Sequence, residues 1–167
     1  MLMEQVAGPM TEPSVTPQTF ERILAASSKL IALRVNDVTR TIAQCRHAAL
    51  RSGQAIYLWQ PASGLISLRD ADVQVPTGHG LAEALQHVLQ SIHFGIYLFD
   101  GFETQMRLPV VRLMRRIARE PTDNDRKLVF IADHFTFAAE VEGAIEYMRI
   151  PNVEPGKPRL RSGHWVV

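Results

Sequence analysis

The chain has 167 residues, of which 46% are hydrophobic and 21% are charged, as is typical of a soluble globular protein with a hydrophobic core. Its formal net charge of +1 argues against nucleic-acid or membrane binding driven by overall charge. The single cysteine, Cys45, excludes an intramolecular disulfide and a cysteine-based zinc site.

Targeting signals are not apparent. No apolar run reaches the roughly 20 residues that would span a bilayer. The N-terminus lacks the positive charge and the apolar block of a signal peptide. We therefore expect a protein without a membrane span, located in the cytoplasm.

The N-terminal region is predicted to lie outside the core. Residues 1–15 are rich in Pro, Thr, Glu and Gly, which is typical of a flexible arm. Thr16 and Pro17 then have the pattern of a helix N-cap followed by a proline in the first turn, so a helix is expected through residues 20–28.

From residue 30 onwards, apolar runs alternate with amphipathic segments. The runs predict strands at 30–35, 55–60, 94–100 and 127–133, with a short last strand around 148–151. Helical periodicity predicts helices at 38–53, 80–92, 107–120 and 138–148. Residues 61–80 are predicted to be a long loop, which could serve as a mobile interaction element. Because every strand is continuously apolar, we expect a mostly parallel sheet buried between two helix layers, an α/β three-layer sandwich.

A phosphate-binding loop is missing at the expected place. In P-loop enzymes, glycines and a lysine follow the first strand and hold the phosphates. Here the first strand runs into VNDVTRT, which contains neither residue type and carries Asp37 where phosphate would lie. That carboxylate would repel an anion from the helix N-terminus. We therefore expect no nucleotide and no other cofactor.

Three stretches together resemble a known family. They are IYLWQPASGL at 56–65, IYLFDGF at 96–102, and VVRLMRRIARE at 110–120 followed by RKLVFIAD. In this order they resemble the degenerate, P-loop-lacking N-terminal domain of Ycf46-like AAA ATPases. In the wider P-loop ATPase pattern, the second stretch lies at the place of the Walker B strand.

The resemblance covers about residues 20–151 and implies a fold rather than an activity. It implies a five-stranded sheet of the P-loop NTPase (RecA/AAA-like) type in the order 5-1-4-3-2. In that family the first domain lacks a competent nucleotide site, and a second, C-terminal domain hydrolyses ATP. Gly101 departs from the pattern, since the family tends to place an aromatic residue directly after the aspartate. The expected organisation is one domain over 16–151 and an extended tail over 152–167.

Acidic residues follow three neighbouring strands of the implied sheet. Asp37, Asp100 and Asp133 would line one edge, with Glu103 and His134 close by. One interpretation is a site for Mg²⁺ that activates water for phosphodiester cleavage. The other is that the aspartates cap helices and turns, which is common at strand ends. No motif for a serine or cysteine nucleophile supports a different enzyme class.

A basic stripe occupies the predicted helix at 107–120. Its arginines recur at i, i+3, i+4 and i+7 on one face: Arg112, Arg115, Arg116 and Arg119. Such a face could bind an acidic protein partner or nucleic acid, or it could be a solvated face with local ion pairs. The basic tail ends in an apolar segment with Trp165, which could dock on its own domain or add a strand to a second copy.

These observations favour a non-catalytic interaction or regulatory module. It would act through self-association as a homo-oligomer and through a protein partner, with an ATPase among the candidates. The alternative is a metal-dependent phosphohydrolase or nuclease built on Asp37, Asp100 and Asp133. Nucleic-acid binding through the arginine face ranks third, because the net charge is near zero and no aromatic residues are interleaved with the arginines.

Overall fold

The computed structural model describes residues 12–121 and 126–150, and the backbone of short segments at 152–153, 159–161 and 164–166. The strands of these residues are Glu12–Pro13 (β1), Leu30–Arg34 (β2), Ile56–Gln60 (β3), Gly64–Ser67 (β4), Val73–Gln74 (β5), Gly95–Phe99 (β6), Arg126–Ala132 (β7), Ile145–Arg149 (β8), Asn152–Val153 (β9), Arg159–Arg161 (β10) and His164–Val166 (β11). The α-helices are Pro17–Ala25 (α1), Val38–Ser52 (α2), Leu81–Gln90 (α3), Leu108–Arg119 (α4) and Ala139–Glu142 (α5).

Seven of the strands form one sheet in the order β5-β4-β3-β6-β7-β2-β8. The strands from β3 to β8 in this order are parallel to their neighbours. Numbered 1 to 5 along the chain, these parallel strands follow the order 5-1-4-3-2, which confirms the predicted order. The predicted number of strands is wrong, because β4 and β5 extend the sheet in antiparallel fashion beyond β3.

Each face of the sheet carries its own hydrophobic cluster, because successive side chains of a strand point to opposite faces. Leu30 and Ala32 of β2 belong to the cluster that packs with α3 and α4. Ile31 and Leu33 belong to the cluster that packs with α1 and α2. Both faces of the central strands are therefore buried, and the predicted three-layer arrangement is confirmed.

The segment from 61 to 80 is not the long loop that the sequence predicts. It contains β4, all of whose residues are buried, and the short strand β5. Leu65 of β4 lies opposite Trp59 of β3 in the antiparallel register. The turn between them requires Gly64, which has a φ of +70 and whose added Cβ would lie 2.9 Å from the His79 ring. The run GLIS is buried as a further strand of the sheet, and for this reason the prediction of a long loop is wrong.

The helix predicted at 138–148 is also wrong for most of its length. Helical structure stops at Glu142, and β8 begins at Ile145. β8 pairs in parallel with β2, with Ile145 opposite Leu30 and Arg149 opposite Arg34. The open edge of β2 offers backbone hydrogen bonds to residues 145–149. That tertiary pairing overrides the helical propensity that the Ala and Glu residues give to the predicted helix at 138–148.

The chain ends contribute two small sheets. β1 pairs with β9, and β10 pairs with β11, both in antiparallel fashion. Trp165 lies in β11, opposite Leu160. Most of the predicted arm at 1–15, and the remaining residues of the tail, lie outside the described residues. Among the described helices, none is long and apolar enough to cross a membrane.

Candidate interaction surface

The position of a phosphate loop, between β2 and α2, is occupied by a short connection that ends in a helix cap. Three residues join Arg34, the end of β2, to the start of α2. The Asp37 carboxylate accepts a hydrogen bond of 3.0 Å from the amide of Arg40. The Asp37 carbonyl accepts bonds from the amide and the hydroxyl of Thr41 at 3.0 and 2.9 Å. A negative charge therefore lies where the amides of a P-loop would hold phosphate.

Asp100, at the carboxyl end of β6, joins two neighbouring strands. Its carboxylate accepts a hydrogen bond of 2.8 Å from the side-chain amide of Gln60, the last residue of β3. Its backbone amide donates to the Trp59 carbonyl at 3.0 Å. The following Gly101 has a φ of +70, and a Cβ there would lie 3.1 Å from Pro61. This turn explains why glycine follows the aspartate in this chain.

The other predicted metal ligands are exposed residues on two separate segments of the chain. Asp133 and His134 are exposed in the bend after β7, and Glu103 is exposed at the start of the 3-10 turn before α4. In the part of the chain that the structure describes, no group of three or more His, Cys, Asp or Glu residues could hold a metal ion. The contacts of Asp37 and Asp100 are those of helix and strand caps, and the metal-site hypothesis stays a prediction without support from these contacts.

Helix α4 has a sharply divided surface. One side packs into the hydrophobic cluster beneath it through Val110, Val111, Met114 and Ile117. The other carries the predicted arginines: Arg112, Arg116 and Arg119 are exposed, and Arg115 is half-buried. Among the described residues, none of the four guanidinium groups has a hydrogen-bond or ion-pair partner. They line a groove of about 290 Å³ together with Glu120 and Pro121.

An exposed apolar side chain shares this side of α4, and acidic side chains lie on the neighbouring helix α5. Leu108, four residues before Arg112 on the same side of α4, is 53% exposed. Helix α5 packs against α4 and carries the exposed Glu140 and Glu142. Glu142 accepts a hydrogen bond of 2.7 Å from the Tyr147 hydroxyl. Desolvation and this bond raise the pKa of Tyr147 to about 12. Among the described residues, neither Glu140 nor Glu142 pairs with an arginine of α4.

Two further features, one largely buried and one on the surface, escape prediction from the sequence. Aromatic residues from separate segments form a chain of rings at the carboxyl edge of the sheet, with centroids 5.0 to 6.4 Å apart: Phe102, Phe130, Phe135, Phe137 and Tyr147. On the other face, α1 and α2 enclose a groove of about 690 Å³. The spacing F-x-F at 135–137 is the one sequence pattern that indicates the cluster of aromatic rings. No sequence motif indicates the groove between α1 and α2.

The comparison with known proteins agrees with this architecture. A family model described as the SpoVK-like AAA ATPase, N-terminal domain, matches residues 16–150. No match was found among curated proteins or among solved structures. The matched region contains the whole seven-stranded sheet and all described α-helices. The chain therefore belongs to the family of SpoVK-like AAA ATPase N-terminal domains.

Proposed function

We propose that this chain is a non-catalytic interaction and regulatory module of an AAA ATPase system. Within the family it would be a degenerate domain of the Ycf46-like kind, with a P-loop NTPase-type sheet but no phosphate loop. It would form one domain over residues 16–151 and work in the cytoplasm. Its effect would come from surfaces that contact other proteins rather than from turnover of a substrate.

The observation that carries this proposal is the connection between β2 and α2. A triphosphate needs several backbone amides that point into one cradle, and usually a lysine. The three-residue connection has no room for such a loop. One amide of the first turn of α2 is already bonded to the Asp37 carboxylate. An incoming phosphate would have to displace that carboxylate against its charge.

The partner surface in this proposal is the basic side of α4. Arginines are enriched at protein interfaces, and those of α4 have no internal partner among the residues that the structure describes. The exposed Leu108 adds apolar surface beside them. Their charge calls for an acidic surface, and the family context makes an ATPase a candidate. Self-association belongs to the proposal as well, with strand β11, which contains Trp165, as a segment that could pair with a second copy.

Affinity purification with matched charge reversals tests the proposal. The full chain is compared with Arg112→Glu/Arg116→Glu and with the control Arg22→Glu/Arg69→Glu, which changes the net charge equally. Arg22 and Arg69 are exposed arginines outside α4, and among the described residues they bond only to backbone carbonyls or to a neighbouring carboxylate. We expect wild type and control to retain one protein partner that the α4 variant loses.

The captured partner is then purified and titrated by calorimetry against the three chains. The α4 variant should bind at least tenfold more weakly than wild type, because each reversal replaces attraction with repulsion. If all three chains bind alike, the α4 surface has no such role. If DNA or RNA binds at low salt and only the α4 variant loses it, the face serves nucleic acid instead.

A further inference from the structure

The two helix layers differ in how tightly their helices pack. On one face of the sheet, α3 lies directly against α4. On the other face, α1 and α2 enclose the groove of about 690 Å³, which we call the α1–α2 groove. This groove lies across the sheet from the basic side of α4, so it is a separate surface from the one in the proposed function.

The floor and lower walls of the α1–α2 groove are apolar. Phe20 is buried at its base, and Val15, Leu24 and Ala48 are half-buried side chains that pack on the hydrophobic cluster below. Apolar surface that lies in a concave, solvent-accessible groove is typical of a binding site for another apolar surface.

The α1–α2 groove is held open by internal contacts. The amide of Val15, just before α1, donates a hydrogen bond of 2.8 Å to the side chain of Gln44 on α2. Thr19 accepts a bond of 3.1 Å from the amide of Thr16, which fixes the start of α1. The walls are therefore positioned before any partner arrives, which lowers the entropic cost of binding.

The rim of the α1–α2 groove is unequally charged. The α2 wall presents Arg40, His47 and Arg51 on one helical face, and all three are exposed. The α1 wall presents one carboxylate, Glu21. Among the described residues, His47 and Arg51 have no hydrogen-bond or ion-pair partner. An occupant with acidic groups on the flank that faces α2 would complement this rim.

We propose that the α1–α2 groove binds one amphipathic α-helix of a protein partner, with its apolar side on the floor and an acidic flank toward α2. The α2 wall from Arg40 to Arg51 is about 17 Å long at 1.5 Å per residue, which corresponds to three helical turns. A helix of that length presents apolar anchors at i, i+3, i+4 and i+7, the pattern used by helices that bind in grooves. A third helix there would complete this layer of the sandwich.

A designed peptide provides the probe. It is a fluorescein-labelled synthetic helix of four turns with leucines at i, i+3, i+4 and i+7 and glutamates along one flank. Two control peptides replace the glutamates by lysines or the leucines by serines. Binding to the full chain is measured by fluorescence anisotropy, and we expect micromolar affinity for the leucine–glutamate peptide and at least tenfold weaker affinity for both controls.

Two exposed alanines supply matched variants. Ala43 lines the α1–α2 groove, whereas Ala25 at the end of α1 does not. Ala43→Trp should fill the groove and weaken the peptide at least tenfold, and Ala25→Trp should leave its affinity unchanged. Arg51→Glu should weaken the glutamate peptide and improve the lysine peptide, because it reverses the charge of the rim.

The proposal is overturned if the leucine–glutamate peptide does not bind, if Ala43→Trp binds it as wild type does, or if the lysine peptide binds equally well. The Arg112→Glu/Arg116→Glu variant separates this inference from the α4 surface. Its affinity for the peptide should equal that of wild type. Loss of binding in that variant would place the peptide on α4 and would also overturn the proposal.

Discussion

Arg126 and Lys127, consecutive residues at the start of β7, cap two helices on opposite faces of the sheet. Arg126 donates hydrogen bonds to the carbonyls of Val88, Leu89 and Ser91, at the end of α3, at 2.6, 2.9 and 3.0 Å. Lys127 donates to the Ala26 carbonyl, at the end of α1, at 2.5 Å. Because successive side chains of a strand point to opposite faces of the sheet, these two residues anchor one helix in each helix layer. Their positive charges lie at helix C-termini, where backbone carbonyls lack partners within the helix.

Substitution of Arg126 should destabilise the domain. Arg126 is 3% exposed, and Arg126→Met would remove the donor to the carbonyls of Leu89 and Ser91, whereas the Val88 carbonyl would still accept from the Ser91 amide. We expect a loss of about 2–3 kcal/mol in the free energy of unfolding, moderated because Nε of Arg126 already lacks a partner among the described atoms. Urea denaturation measures the change. Arg119→Met is the exposed control and should change stability by no more than about 0.5 kcal/mol; equal effects of the two substitutions would contradict the capping role.

The buried thiol predicts a particular dependence of stability on pH. Burial raises the pKa of Cys45 from 9.0 to about 12. In the unfolded chain the thiol ionises near its ordinary pKa, so above pH 9 the unfolded state releases a proton that the folded state keeps. The folded state should lose up to about 1.4 kcal/mol per pH unit from this residue as the pH rises above 9.

Urea denaturation at several pH values between neutral and strongly alkaline tests this dependence. Other groups also titrate there, so wild type is compared with Cys45→Ala, and only the difference in slope is attributed to the thiol. Wild type should lose stability more steeply than Cys45→Ala. Parallel slopes would mean that the thiol ionises as readily in the folded protein as in the unfolded one.

The Asp100 carboxylate should act as a cap for the β3–β6 end rather than as a metal ligand. Asp100→Asn retains an oxygen that can accept the bond from Gln60, so its melting temperature should stay close to that of wild type. Calorimetric titration with Mg²⁺ and Mn²⁺ should show no specific binding to either protein. Saturable metal binding to wild type that Asp100→Asn loses would instead support the phosphohydrolase or nuclease hypothesis.

Sequence patterns predicted the parallel part of the fold because its strands carry their own signal. LIAL at 30–33 and LVFIA at 128–132 are apolar throughout, and such runs are buried wherever the sheet places them. Residues 145–149 carry a weaker signal, since Tyr147 is 50% exposed at the sheet edge and the segment alternates. Its strand state depends on the free edge of β2, which lies more than 100 residues earlier in the chain.

In the candidate sites, too, the features that depend on local sequence were predictable and those that depend on distant residues were not. The arginines of α4 could be placed on one face from their spacing alone, because helical periodicity is local. The role of Asp100 depends on Gln60, which lies 40 residues away in sequence and comes close only through the β3–β6 pairing. The α1–α2 groove depends on the distance between two helices that pack on the same sheet face, and no local pattern encodes that distance.

The central claim is that a capped helix N-terminus has replaced a nucleotide cradle. The most direct test is a titration of the full chain with Mg²⁺–ATP at millimolar concentration, followed by the backbone amide resonances of residues 35–41 in a ¹H–¹⁵N spectrum. The account predicts no saturable shift at these amides, because Asp37 holds the N-terminus of α2 and repels phosphate. Saturable shifts confined to the amides between Asn36 and Thr41 would show that phosphate binds there and would contradict it.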